Sequence, residues 1–392
     1  MIRIREQLRL RLLSPLLLCT VLASCATAPS PPPPPPDLFN DTNFAPPATP
    51  VEPQRAFAVS EAMQRYVRID IAREARGKNP RRALANALYN KAGLQVEYDA
   101  AMTRTAAQTF DERRGNCLSL VLMTAALAKE MGLEVRYQAV LGDDAWSRSG
   151  DLYFVAGHVN LVLGRRMAQE SGIYDVDTEL LIDFLPPQDL TGQRTRTISE
   201  TTVLAMYLNN RAAETMASGE LDQAYWLARA AIVQDPAFSG AFNTLGIIQL
   251  RHGDLEPARR TLAYALERSP SNTVLLSNLA QALDELGRTD EALLMRRRLL
   301  ALQPEAPFHF FNLGQLAMKN ADYQEAARLF KREIARDPYY HEFHFWLAQA
   351  YARLGQLAQA GQQLQLAMDN STTRSDHGLY AAKLQRLRAA NR

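Results

Sequence analysis

"RGNCLSLVLMTAALAKEMGLEVRYQAV", Arg114–Val140, changes its period halfway along. Gly115-Asn116 reads as a turn and a helix cap, and the apolar run that begins at Cys117 reads as a helix closed by Gly132. From Leu133 the pattern alternates and is β-branched, which predicts a strand.

Upstream, "RAFAVSEAMQRYVRIDIAREARG" (55–77) spaces its apolar residues as a helix does and ends at Gly77. "NPRRALANALYNKAG" (79–93) predicts another, with Pro80 at its first position and Gly93 after its end. Downstream, "LGDDAWSRSGD" (141–151) reads as a polar loop, and "LYFVAGHVNLVLG" (152–164) and "ELLIDFLP" (179–186) as strands. Helices followed by an antiparallel sheet predict an α+β domain over residues 56–200.

Cys117 lies where that domain could do chemistry. A helix N-terminus presents free backbone N–H groups and favours an anion, hence a thiolate over a thiol. Arg113 and Arg114 add positive potential. A nucleophilic thiol needs a base, and residues 56–200 contain one histidine, His158, on the polar face of its strand with Asn160. Asp183, among apolar residues, needs a partner, and His158 is a candidate; Asp177 competes with it for the third place. The Cys117 backbone N–H is a natural oxyanion donor, Gln108 and Asn116 are candidates for a second, and Asn160 is an alternative cleft residue.

A cysteine in "RGNCLSLVLMTAALAKEMGLEVRYQAV", a histidine in "GHVNLVL" and an aspartate in "LLIDF", in that order, resemble the transglutaminase-like cysteine protease superfamily. The resemblance implies a papain-like fold with Cys117 as nucleophile, His158 as general acid/base and Asp183 as the orienting carboxylate. Where many members have an aromatic after the histidine, this chain has Val159, Asn160 and Leu161; where many have a proline after the aspartate, it has Phe184.

From about residue 201 the chain is helical and periodic. Pro236, Pro270, Pro304 and Pro338 are each 34 residues apart. In that phase the eighth positions are Ala212, Gly246, Ala280, Gly314 and Ala348, and the twentieth are Ala224, Ala258, Ala292, Ala326 and Ala360. Small residues there let paired helices approach closely. The pattern resembles the tetratricopeptide repeat: five units over 201–374, with Thr372 in place of the last proline, and a capping helix over 375–392. The second and fifth positions place Met206, Asn209, Asn243, Phe308, Phe311 and Phe345 on the expected concave face, as candidates for a peptide-binding groove. The expected fold is thus an α+β papain/transglutaminase-like domain followed by an all-α tetratricopeptide-repeat solenoid.

The N-terminus reads as an address. Arg3, Arg5, Arg9 and Arg11 precede the short apolar run "LLSPLLLCTVLA", a signal peptide over 1–24. Leu22-Ala23-Ser24-Cys25 resembles the bacterial lipobox, which implies lipidation at Cys25; an ordinary signal peptide is the alternative. Ala26 after that cysteine, rather than aspartate, implies by the same resemblance the outer membrane, facing the periplasm. Residues 25–55, with six consecutive prolines, read as a stiff spacer. With Cys19 in the signal and Cys25 lipidated, Cys117 is left without a disulfide partner. The formal charge is +2, and the first 24 residues carry +3 of it, so the rest is near neutral and no nucleic-acid partner is expected. No cofactor is expected, and no metal: His341 and His344 lie three apart without a third ligand nearby. Two functions follow as expectations: a membrane-anchored cysteine peptidase, amidase or acyl transferase fed by the repeats, or a non-catalytic lipoprotein adaptor that scaffolds an envelope complex.

Overall fold

The structure, a computed structural model, describes residues 33–47, 49–89, 93–141, 145–149, 152–166, 179–184 and 194–390. The signal peptide, Cys25 and Asp177 lie outside the described residues.

The N-terminal half begins with a 3-10 turn, Pro53–Phe57, then α1 (Glu61–Tyr66), a π-helical turn Val67–Ile71, α2 (Ala72–Glu74) and α3 (Pro80–Tyr89). Next come β1 (Glu97–Tyr98), α4 (Ala106–Glu112), β2 (Arg114–Gly115) and α5 (Cys117–Glu130). The strands β3 (Leu133–Leu141), β4 (Ala145–Ser149), β5 (Leu152–Ala156), β6 (Val159–Arg166), β7 (Leu180–Ile182) and β8 (Arg194–Ile198) follow. An antiparallel sheet runs in the order β7-β6-β3-β8, while β4 and β5 pair with each other.

The quoted stretch is the centre of this domain. α5 is buried from Leu118 to Ala128 and packs on β3 and β6 as well as on α1, α3, α4 and the Pro53–Phe57 turn. A helix apolar on all sides must be enclosed. Each of its fully buried large residues, Leu120, Leu122, Met123 and Leu127, contributes about 1.5–3 kcal/mol by leaving water. Gly132 closes α5 in the left-handed region (φ 70°).

Two local readings change, and one strand is new. The polar loop 141–151 contains β4, because Ala145–Ser149 finds a cross-strand partner in β5. The single strand expected over 152–164 is two, broken at Gly157-His158. The polar strand β8, absent from the expected outline, has four exposed residues, pairs with β3 and buries only Ile198 in the core.

The C-terminal half is a helical array. The paired helices are α6 (Glu200–Ala217) with α7 (Leu221–Gln234), α8 (Ser239–His252) with α9 (Leu255–Arg268), and α10 (Thr273–Glu285) with α11 (Thr289–Leu302). They continue with α12 (His309–Lys319) and α13 (Tyr323–Arg336), α14 (His341–Arg353) and α15 (Leu357–Asp369), and end at α16 (Arg374–Ala390). The small positions do what their spacing requires. A Cβ on Gly246 would lie 2.6 Å from Leu262 Cγ, and one on Gly314 would lie 2.5 Å from Phe330 Cε1. Ala224, Ala258, Ala292, Ala326 and Ala360 are all fully buried.

Two features tie the halves together. α6 belongs to both cores: Val203 and Leu204 pack with α5 and the sheet, Leu208 and Ala212 with the repeats. The segment Glu97–Thr103 is held by repeats from both ends of the array. Thr103 N donates to Glu214 Oε1 (2.7 Å), Ala100 N donates to Thr372 O (2.9 Å), and Arg374 pairs with Glu97 (2.5 Å).

The spacer reading of residues 25–55 fails from Leu38 onward. There the chain lies on the repeats, with Leu38 and Phe44 buried in their core. Phe44 stacks on Tyr225 with ring centroids 4.0 Å apart. Gln249 Nε2 donates to Leu38 O (2.9 Å), Trp226 Nε1 to Ala45 O (2.6 Å) and Asn40 Nδ2 to Asp254 Oδ2 (2.7 Å). Proline stiffness ends where "DLFNDTNF" supplies apolar anchors and side-chain amides, and these outweigh the extended preference of the prolines.

Candidate functional site

Cys117 is the first residue of α5, half-buried, and the one free cysteine among the described residues. Its position is set by the cap. Asn116 Oδ1 accepts from Ser119 N (2.9 Å) and Ser119 Oγ (2.8 Å), while Asn116 Nδ2 donates to Thr103 Oγ1 (2.8 Å). Arg104 N donates to Ser119 Oγ (2.8 Å), which fastens the preceding segment to the same turn. Gly115 is required here, since a Cβ would fall 2.6 Å from Ser119 Cβ.

His158 lies in the break between β5 and β6, and its carbonyl accepts from Val140 N (2.9 Å). Asp183 follows β7 directly. The β6–β7 register pairs Leu161 with Ile182, so the next residues inward, Asn160 and Asp183, meet at the sheet edge. His158 Nε2 is 2.8 Å from Asp183 Oδ1, and Asn160 Nδ2 donates to Asp183 Oδ2 (3.0 Å). The Asp183 side chain is almost wholly buried and that of His158 nearly so. Tyr89 Oη adds a bond to the Asp183 carbonyl (2.9 Å).

The electrostatics follow from this packing. Burial pushes the His158 pKa down, but hydrogen bonds to Asp183 and to Cys117, with the charges of both, outweigh it and raise the value to about 9. With Nε2 committed to Asp183, Nδ1 is the atom left for Cys117. The structure thus brings Cys117, His158 and Asp183 together at one site, His158 held by Asp183. Chemically, such an arrangement sets a sulfur nucleophile beside an imidazole whose orientation is fixed by a carboxylate.

The candidates for a second oxyanion donor are held by local caps. Gln108 Oε1 accepts from Thr105 N (3.0 Å) and Thr105 Oγ1 from Gln108 N (3.3 Å), a capping box that uses the acceptor oxygen of the side chain and not its Nε2 donor. Asn116 is spent on the α5 cap. Arg114 does not offer free positive charge, since it pairs with Asp99 (3.4 Å) and Glu112 (3.0 Å). The residue that sequence reasoning missed is Tyr98. β1 pairs in parallel with β2, placing Tyr98 beside Gly115 and near Cys117. Desolvation, then the charges of Cys117 and Asp99, raise the pKa of its phenol. A two-residue parallel bridge leaves no periodic trace in sequence, so nothing there signalled it.

The groove candidates divide. Met206 packs toward the N-terminal core beside Gly157, next to His158. Asn209 keeps a buried side-chain oxygen without a partner, and Asn243 accepts from Asn278 (2.7 Å). Phe308 and Phe311 are not groove residues: both are buried among the aromatic rings of repeats four and five. Phe345 is half-buried against Tyr380. His341 contacts the Tyr380 hydroxyl (2.7 Å), and His344 contacts Gln363 Oε1 (2.7 Å) and Pro338 O (2.8 Å). Among the described residues no group of three metal-ligating side chains converges, and no helix is long and apolar enough to cross a membrane.

Comparison with known families agrees with this division. Residues 69–165 match the transglutaminase-like superfamily, and residues 249–309 and 311–374 match tetratricopeptide repeats. No curated protein matches the chain. Among solved structures, a thermophilic TPR protein of Thermus thermophilus is similar at 20% identity, covering 46% of this chain and 99% of that one, with a TM-score of 0.29. YrrB, a TPR protein with an unusual peptide-binding site, is similar at 21% identity, covering 46% and 92%, with a TM-score of 0.25. MamA is similar at 16% identity, covering 41% and 93%, with a TM-score of 0.24.

Proposed function

From a chain made of a transglutaminase-like domain followed by tetratricopeptide repeats, we propose a cysteine peptidase, amidase or acyl transferase that acts on a protein or peptide held by the repeats. The observation that carries this reading is the 2.8 Å contact of His158 Nε2 with Asp183 Oδ1, on an imidazole whose pKa is raised by both Asp183 and Cys117.

The Cys117 sulfur attacks an amide carbonyl and forms a C–S bond. The carbonyl oxygen takes the electron pair and is held by the Cys117 backbone N–H. His158, charged up to about pH 9, gives its proton to the departing amine as the C–N bond breaks. Asp183 keeps the ring oriented and balances its charge. Water or a second amine then attacks the thioester, His158 takes its proton, and Cys117 leaves. Hydrolysis or transamidation results according to the acceptor.

The proposed site lies at the membrane surface. The basic n-region, the apolar run and Leu22-Ala23-Ser24-Cys25 support lipidation at Cys25 and an outer-membrane anchor in the cell envelope. Incorporation of labelled fatty acid, lost in Cys25→Ala, checks this; no label on the wild-type chain contradicts it.

The enzymatic reading is tested by iodoacetamide at neutral pH. Alkylation of Cys117 should slow by roughly tenfold or more in His158→Ala, because the thiolate loses its counter-charge. Equal rates in the two proteins would favour an adaptor with an inert thiol.

A further inference from the structure

The repeat array is interrupted at one junction. Residues from Leu208 to Ala292, with Met295 and Leu299 at the margin, form one core, and a separate core starts at Phe308. α11 and α12 make almost no contact, although every other consecutive helix pair of the array packs. The sequence does not encode this gap: Pro270, Pro304 and Pro338 keep the 34-residue phase straight through it.

The residues at the gap show what is missing. Leu300, on α11, is 61% exposed, while its equivalents one and two units earlier, Leu266 and Ile232, are buried. On α12, Leu313 is 41% exposed where Leu245, Leu279 and Leu347 are buried, and Leu316 is 54% exposed where Ile248, Ala282 and Ala350 are buried. These three leucines therefore keep the identity of interface residues while facing water. Apolar side chains at positions buried in the other units favour burial here too. Their natural cover is each other, because the helices that carry them are consecutive and in phase.

The connecting segment 303–308 has the character of a pivot. It carries Pro304 and Pro307, and Phe308 caps α12 with φ at 59°, a left-handed conformation that a bulky aromatic adopts only under constraint. On one side of the pivot, α6 shares its core with the domain that holds Cys117. On the other side, Thr372 and Arg374 touch Ala100 and Glu97, which flank Tyr98 beside Cys117.

We infer that repeats three and four close on one another about residues 303–308, α12 seating Leu313 and Leu316 against Leu300 of α11, and that closure lifts the last repeat off the Glu97–Ala100 segment at the proposed site. The open form is the one seen here, in which the C-terminal repeats clamp that segment. The closed form releases it. The array is then a two-position device whose state is read at Cys117.

The test is cross-linking in the full chain with Cys19, Cys25 and Cys117 changed to serine. Leu300→Cys is combined with Leu313→Cys or Leu316→Cys, and Val233→Cys with Leu313→Cys serves as the control. Under mild oxidation at least one test pair should form an intramolecular disulfide roughly tenfold or more faster than the control, as for groups held at high effective concentration. Arg374→Glu, which opposes like charges at Glu97, should speed that cross-link further. Test pairs that react no faster than the control, with or without Arg374→Glu, would overturn the hinge. Disulfides formed only between chains would also overturn it, and would assign the leucines to self-association.

Discussion

The two halves of the chain secure their critical residues in opposite ways. In the repeats the same solution recurs: an alanine at the twentieth position is fully buried five times over, and glycines at the eighth admit Leu262 and Phe330. In the N-terminal domain nothing recurs. Cys117, His158, Asp183 and Asn160 each occur once, on different elements, and only the β6–β7 register and the α5 cap bring them together. Redundant packing tolerates local failure, as the open junction between repeats three and four shows. A single polar line does not.

The largest effect should follow from the least redundant atom. Cys117→Ala should lower any amide-cleaving or acyl-transfer turnover by about 10⁴-fold or more, with little change in thermal stability. Turnover above a tenth of wild type would remove the thiol from the chemistry. The next expected effect lies on the N-terminal strap. Phe44→Ala removes the ring stacked on Tyr225, at about 3–5 kcal/mol for a buried aromatic, and should raise amide exchange across 37–47 while leaving Cys117 alkylation unchanged. Protection unaltered there would mean that the side-chain amides alone hold the strap.

In the repeats, Gly314→Val should overpack against Phe330 and cost about 1–3 kcal/mol, read by denaturant unfolding. Its effect should stay within repeats four and five, because their core is separate from that of repeats one to three. A smaller change should follow Asn160→Ala. Loss of the donor to Asp183 Oδ2 leaves the fold intact and should slow Cys117 alkylation by about tenfold through a less well oriented His158. Rescue by Asn160→Gln would separate this from simple loss of packing.

The same contrast explains what was legible in the sequence. The repeats announce themselves because one physical constraint, close helix approach, is written every 34 residues. α5 and the strands β3, β6 and β7 were legible from period and from Gly132. Cys117, His158 and Asp183 could be singled out because each residue type was out of place for its element. What escaped depends on contacts distant in sequence. β8 has no apolar alternation, and Tyr98 is placed by a parallel bridge of two residues. Phe308 and Phe311 sit at groove positions by phase but turn into the core, because Phe308 takes a left-handed cap and both rings join Phe330, Tyr340, Phe343 and Trp346 in one aromatic cluster. The strap from Leu38 was hidden by the prolines before it.

The central claim is that His158 shares one electrostatic line with Cys117 and Asp183, and its titration tests this most directly. A histidine whose folded pKa is raised contributes stability that is fully present below its unfolded value of about 6.5 and is lost as pH rises through its folded value. For His158 that window runs from about 6.5 to about 9. The imidazole protons of His158, followed by NMR from neutral to alkaline pH, should titrate near 9 in the wild-type chain and at lower pH in both Cys117→Ala and Asp183→Asn. A value near 6.5, indifferent to both substitutions, would contradict the account.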